Sequence, residues 1–140
     1  MKAYLDTSVL VSYYTPEPRR CAVVEHLRQI TEPTISLLCE AEFHSAIARK
    51  RKTGEAGATI GRALDLLHRH RRAGLYHVIA LEQPHFAKAM HLLDTVTVAL
   101  RTLDALHLSI AVLEGIDLIT ADRCLSDAAE EIAHPCVFIT

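Results

Sequence analysis

Acidic side chains that stand where apolar runs stop are the residues of this sequence best suited to do chemistry. In MKAYLDTSVLV, Asp6 closes the run Lys2 to Leu5 and precedes Val9, Leu10 and Val11. In DLITADR, Asp122 follows the run Asp117 to Thr120 in the same way. Asp104 opens the helix-like stretch DALHLSIAVLEG, and Glu40 and Glu42 stand near the start of the one that follows TISLL. Each has an ordinary alternative role. Asp6 can cap the next helix and Asp104 can face a helix macrodipole. Glu40 and Glu42 are two residues apart and rarely point the same way on a helix, so spacing does not choose between them. Acids of this kind, gathered in one place, repel and raise each other's pKa unless a cation joins them. Carboxylates with Ser and Thr hydroxyls nearby are hard oxygen donors that suit Mg²⁺ or Mn²⁺. One or two such ions support in-line hydrolysis of a phosphodiester.

Strands alternating with helices must position these acids. Lys2 to Leu5 reads as a buried strand, followed by a short helix and the loop Thr15-Pro16-Glu17-Pro18. A helix then runs through about Ile30, with Val23, Val24, Leu27 and Ile30 on one side, and Pro33 ends the unit. Thr34 to Leu38 is a second strand, with helices from about Glu40 to Lys52 and from about Glu55 to Arg72, bounded by Gly54 and Gly74. Tyr76 to Leu81 is a third strand; Pro84 opens a helix reaching roughly Val98, and another begins at about Arg101 and closes at Gly115. Asp117 to Thr120 is a fourth strand, a helix covers about Leu125 to Ile132, and Val137 to Ile139 adds a final edge strand. This order predicts a three-layer α/β/α sandwich around a mainly parallel sheet of four or five strands. Ligands of such sheets sit beyond the carboxyl ends of the strands, where strand order reverses. Asp6 and Asp122 fall at that edge; Asp117 begins its strand at the opposite edge and is structural.

With 140 residues, half of them hydrophobic, the chain is the size of one globular domain, taken as residues 1–140. A net charge of −2 offers no global field for nucleic acid or anionic membrane, so such a partner needs a local patch. No apolar stretch approaches the length of a membrane span, and no secretory signal is visible, so a soluble cytoplasmic protein is expected. Cys21, Cys39, Cys124 and Cys136 are widely spaced and read as reduced thiols.

Four segments in order, YLDTSVLVSYY, CEAEFHSAIARK, LRTLDALHLSIAV and LITADRCLSDAA, resemble the acid-bearing motifs of PIN-domain ribonucleases, especially VapC-like toxins of type II toxin–antitoxin systems. The resemblance spans essentially the whole chain. It implies an endoribonuclease in which Asp6, Glu42, Asp104 and Asp122 are the catalytic, metal-binding acids for Mg²⁺ or Mn²⁺. Glu42 takes the second place because AEF followed by SAIARK looks like the family's helix start. Ser8 and Thr120 match hydroxyl positions that would orient water or a carboxylate around the first and fourth acids. Asp127 is a possible additional ligand but reads as a residue of the last helix's first turn, and Asp94 as a solvated helix acid. The resemblance also implies an RNA substrate, a homodimer and a cognate antitoxin.

Arg49, Lys50, Arg51 and Lys52, with Arg62, Arg69, Arg71 and Arg72, are the richest supply of cations for RNA phosphates. Tyr13 and Tyr14 are the local candidates for stacking on bases. His107 lies one turn after Asp104 and reads as a packed helix residue; His68 and His70 could lend weak contact to phosphate. Two other classes compete. One is a PIN-fold module that binds RNA or protein without catalysis. The other is an aspartyl-phosphate phosphatase with Asp6 as nucleophile, which wants a second Asp where Ser8 stands.

Overall fold

The computed structural model describes residues 1–55 and 57–140. Five short strands, β1 (Lys2–Leu5), β2 (Glu32–Ser36), β3 (His77–Ile79), β4 (Asp117–Thr120) and β5 (Cys136–Phe138), form one parallel sheet in the order β3-β2-β1-β4-β5. The helices are α1 (Thr7–Tyr14), α2 (Arg20–Leu27), α3 (Leu37–Lys52), α4 (Gly57–Arg72), α5 (Gln83–Thr95), α6 (Thr102–Glu114) and α7 (Arg123–Glu131). From β1 the chain steps outward to β2 and β3, then returns through α5 and α6 to lay β4 on the other side of β1. Right-handed crossovers therefore put α1 to α4 on one face and α5 to α7 on the other, giving the three layers expected. Contacts agree: α1 packs on α2, α3 and α4, while α6 packs on α5 and α7. The core between the layers holds Tyr4, Leu5, Leu10, Ile35, Phe43, Leu108, Ile110 and Leu118, all essentially without solvent exposure.

The reversal of strand order leaves a crevice between β1 and β4 at their carboxyl ends. Their register, Leu5 opposite Ile119, sets the residue after β1 beside the last residue of β4. Both strands pass directly into helices. Asp6 caps α1, accepting from Val9 N at 3.2 Å, and Asp122 caps α7, accepting from Cys124 N at 2.8 Å and Leu125 N at 3.2 Å. α6 ends at Gly115, whose φ of 66° belongs to the left-handed region that a side chain disfavours, so the turn into β4 is a glycine position.

Several expected boundaries move. The second strand begins at Glu32 and includes Pro33, which was expected to end the preceding unit. Pro33 pairs with Ala3 of β1, whereas β3 joins only from Thr34, so at this row the strand has a neighbour on one side alone. Leu37 and Leu38 belong to α3, because Ser36 accepts from Cys39 N at 3.2 Å and starts the helix there. α2 stops at Leu27, β3 is shorter than Tyr76 to Leu81, α5 ends at Thr95, and α7 starts at Arg123 under its Asp122 cap. The last strand sits one residue earlier than Val137 to Ile139. The expected start of the fourth helix at Glu55 includes Ala56, which lies outside the described residues. Among the described residues no helix is long and apolar enough to cross a membrane, and the four cysteines are free thiols.

Candidate active site

A cleft of about 780 Å³ opens at the crevice and is lined by Asp6, Glu42, Asp104 and Asp122, together with Thr7, Ser8 and His107. Four segments remote in sequence thus deliver the four acids to one cavity. Asp6 lies deepest, 3 % exposed. Ser8 Oγ donates to its Oδ1 at 2.6 Å and Thr120 Oγ1 to its Oδ2 at 2.7 Å. Those hydroxyls are in turn held by the backbone of the β4–α7 turn: Ala121 N donates to Ser8 Oγ and Asp122 N to Thr120 Oγ1, each at 2.9 Å. Ser8 and Thr120 therefore stand beside the first acid and fix both of its oxygens. Asp6 is at once a helix cap and a cleft acid.

α3 separates the two glutamates. Two residues apart are about 200° around a helix. Glu40 turns to α4, where Arg71 Nε donates to it at 2.6 Å, and Glu42 turns into the cleft. There Glu42 accepts from Thr7 Oγ1 at 2.8 Å and pairs with His107 Nε2. The other nitrogen of that ring, Nδ1, lies 2.7 Å from Tyr4 OH, and Tyr4 OH lies 2.8 Å from Ser36 Oγ. His107 is thus more than the packed helix residue expected: it is buried, as expected, but its imidazole faces the cleft and holds an acid. Its spacing of three residues from Asp104 already put both on one helix face.

Electrostatics mark the same group of residues. Burial pushes the Asp6 carboxyl up, against opposing help from His107, Ser8, Thr120 and Val9 N. Burial also pushes Asp104 up, and the charges of Asp122 and Glu42 add to it, while Arg101 N and His107 offset part. For Glu42, burial would raise the carboxyl, but the bond and charge of His107, the Thr7 hydroxyl and Arg49 together bring it below the usual range. Burial opposes charge on His107, yet its contacts with Cys39 and Glu42 and the nearby Asp6 push it up to about 10. An imidazolium here donates from both nitrogens, to Tyr4 and to Glu42.

The basic residues divide. Arg49 and Lys50 line the cleft, joined by Arg19 and Arg101, which sequence reasoning missed because Arg101 stands alone and Arg19 has only Arg20 beside it. Lys50 is already paired with Glu17 at 3.2 Å and Glu55 at 3.3 Å. Arg51 and Lys52 are exposed at the end of α3 and do not line the cleft. Asp127 falls in the second turn of α7, not the first, because that helix begins at Arg123; it does not line the cleft either. Tyr13 and Tyr14 also lie outside it: Tyr14 is buried against Phe43 and hydrogen-bonds Tyr76, and Tyr13 packs edge-on against Tyr14.

The donor set fits a hard divalent cation in chemistry. Carboxylates and hydroxyls face one cavity, and Asp104 carries repulsion from two neighbouring acids that a cation would relieve. Among the described residues, however, no three of His, Cys, Asp and Glu converge closely enough to hold one ion directly. Mg²⁺ commonly keeps several waters and takes only one or two carboxylates, so the spacing agrees with this ion better than with a tightly caged one.

A parallel α/β domain with an acid-lined cleft at its topological switch point is the class that fold and site define. The PIN domain model matches residues 3–131, and the chain belongs to the PIN-domain family. Similar folds include VapBC2 from Rickettsia felis, solved bound to a DNA fragment from its promoter, at 16% identity and a TM-score of 0.72, with 100% of both chains covered. A toxin–antitoxin complex from Klebsiella pneumoniae is similar at 18% identity and a TM-score of 0.60, covering 94% of this chain and 90% of that one. VapC20 from Mycobacterium tuberculosis, a toxin that cleaves the sarcin-ricin loop, is similar at 14% identity and a TM-score of 0.70, covering 90% and 94%. No curated protein matches in sequence.

Proposed function

We propose that this chain is a metal-dependent endoribonuclease and the toxin of a toxin–antitoxin pair. The observation that carries it is the meeting of Asp6, Glu42, Asp104 and Asp122 in one cleft at the switch point of a PIN fold. These four acids would hold Mg²⁺ or Mn²⁺. When bound, such an ion would neutralise the cluster and lend Lewis acidity toward a phosphodiester. The chain's own residues do the rest. Ser8, Thr120 and Val9 N fix Asp6; Thr7 and His107 fix Glu42, leaving its second oxygen for the cleft. Arg49, Lys50, Arg19 and Arg101 at the cleft would bind RNA phosphates, with Arg51 and Lys52 extending the basic patch outward.

The same reading covers partners. An acid-lined cleft accepts an Arg or Lys side chain, which is how an antitoxin tail would silence it. Phe86, Met90 and Leu93, spaced four and three residues apart on α5, are 47%, 60% and 37% exposed, an apolar stripe that supports a homodimer. The cytoplasm, where RNA is available, is the expected setting.

Incubation of the purified protein with transfer and messenger RNA, with Mg²⁺ or with excess chelator, tests this directly. Wild type should cleave only with the ion, and Asp6→Asn should lose at least a hundredfold in rate while keeping its fold by circular dichroism. Cleavage that persists in chelator overturns the metal dependence. Binding of RNA without cleavage at any Mg²⁺ or Mn²⁺ concentration replaces the nuclease by a binding module.

A further inference from the structure

On the side of α3 away from the cleft, His44 and His68 bring their Nε2 atoms to 3.1 Å across the α3–α4 seam. Their ring centroids are 5.2 Å apart and the planes are inclined by 31°. His44 follows Glu42 by two residues, so it points away from the acids, and it is exposed to solvent. The seam is antiparallel and ordered: one turn along, Arg71 and Glu40 make the ion pair that sets the register in which the two imidazoles face each other.

We propose that His44 and His68 form a second metal site, for a borderline transition-metal dication of the Zn²⁺, Cu²⁺ or Ni²⁺ kind. Imidazole nitrogens suit these ions, and Mg²⁺ avoids them. The spacing matches. With metal–nitrogen bonds of about 2.05 Å and a tetrahedral angle, two ligating Nε2 atoms lie about 3.3 Å apart and their ring centroids about 5.2 Å. Opening the observed nitrogen separation by a few tenths of an ångström accommodates the ion without moving either helix. Among the described residues no third His, Cys, Asp or Glu completes a cage, so water fills the remaining positions and the ion clamps the α3–α4 hairpin from outside.

The site is independent of the nuclease acids, and excess Mg²⁺ separates the two. Tag-free, chelator-stripped full chain is titrated with Zn²⁺ by calorimetry in millimolar Mg²⁺, and a parallel sample is loaded with one equivalent of Cu²⁺ for electron paramagnetic resonance. Wild type should bind one Zn²⁺, and the Cu²⁺ spectrum should carry nitrogen hyperfine coupling. His44→Gln and His68→Gln should each weaken Zn²⁺ at least tenfold and reduce the nitrogen coupling from two imidazoles to one, with wild-type circular dichroism. If wild type shows neither, or if both variants keep wild-type affinity and coupling, the contact is only a hydrogen bond between two imidazoles and the site does not exist.

Discussion

His107 shows most clearly how one side chain conditions the others. It lies among Asp6, Glu42 and Asp104 and is pushed up to about 10 by its contacts with Cys39, Glu42 and Asp6, against burial. A positive charge on this ring would lower the repulsion among the carboxylates; its contact with Glu42 orients that acid, while Tyr4, itself bonded to Ser36, holds the ring from behind. Removing it leaves Glu42 with Thr7 alone and strips Tyr4 of one partner. His107→Ala should therefore lose about 1–3 kcal/mol of stability, the range for orphaning half-buried polar groups, read from urea denaturation. If Glu42 holds the ion as proposed, the same variant should weaken Mn²⁺ binding by about tenfold to a hundredfold, the range for loss of a residue that supports a ligand. His107→Gln, which can still donate one hydrogen bond to Glu42, should recover part of both. Equal Mn²⁺ affinity in wild type and His107→Ala would leave the histidine a purely structural role.

The elements repeat the same economy, in which polar groups that anchor one helix also tie it to the next. Tyr14 of α1 meets His70 Nδ1 of α4 at 2.7 Å and Tyr76 OH, just before β3, at 2.6 Å. Burial and the charge of Arg69 lower the His70 pKa below its ordinary value. The unfolded chain, titrating near 6.5, then binds a proton that the folded one resists, so stability rises with pH across that window and falls on acidification. The gap between the urea midpoints of wild type and His70→Gln should narrow from pH 8 to pH 5; a constant gap would mean His70 contributes no such linkage. These elements were largely legible from sequence, since Gly54, Gly74 and Gly115 end the helices that apolar spacing predicts. The boundary at Ser36 was not: Leu37 and Leu38 continue an apolar run, and only the Ser36 hydroxyl bonded to Cys39 N turns that run into helix. The choice of Glu42 over Glu40 was beyond spacing as well, because it depends on how α3 is rotated against the sheet, which Arg71 helps to set. Nor does periodicity separate a buried imidazole that holds a carboxylate from one that only packs, so the importance of His107 emerges only in three dimensions.

For the molecule as a whole, an acid-lined cleft in a chain of net charge −2 is a poor host for a polyanion. Under the proposed function RNA affinity would have to come from a few local cations, and Arg49 is the one of the expected basic run that lines the cleft without an ion-pair partner among the described residues. Each phosphate contact to a single strand contributes about 0.7 to the slope of log affinity against log salt. On the Asp6→Asn background, where cleavage should be slowed at least a hundredfold, Arg49→Ala should reduce that slope by about 0.7 and weaken binding across sequences alike. Arg28→Ala offers the control: Arg28 is exposed, paired with Glu25 at 3.1 Å and outside the cleft, so its loss should leave the slope unchanged. Fluorescence anisotropy of a labelled single-stranded RNA at several salt concentrations measures both. If the two variants shift the slope equally, RNA is held by diffuse surface charge, and the cleft rim has no privileged part in bringing the phosphodiester to the acids.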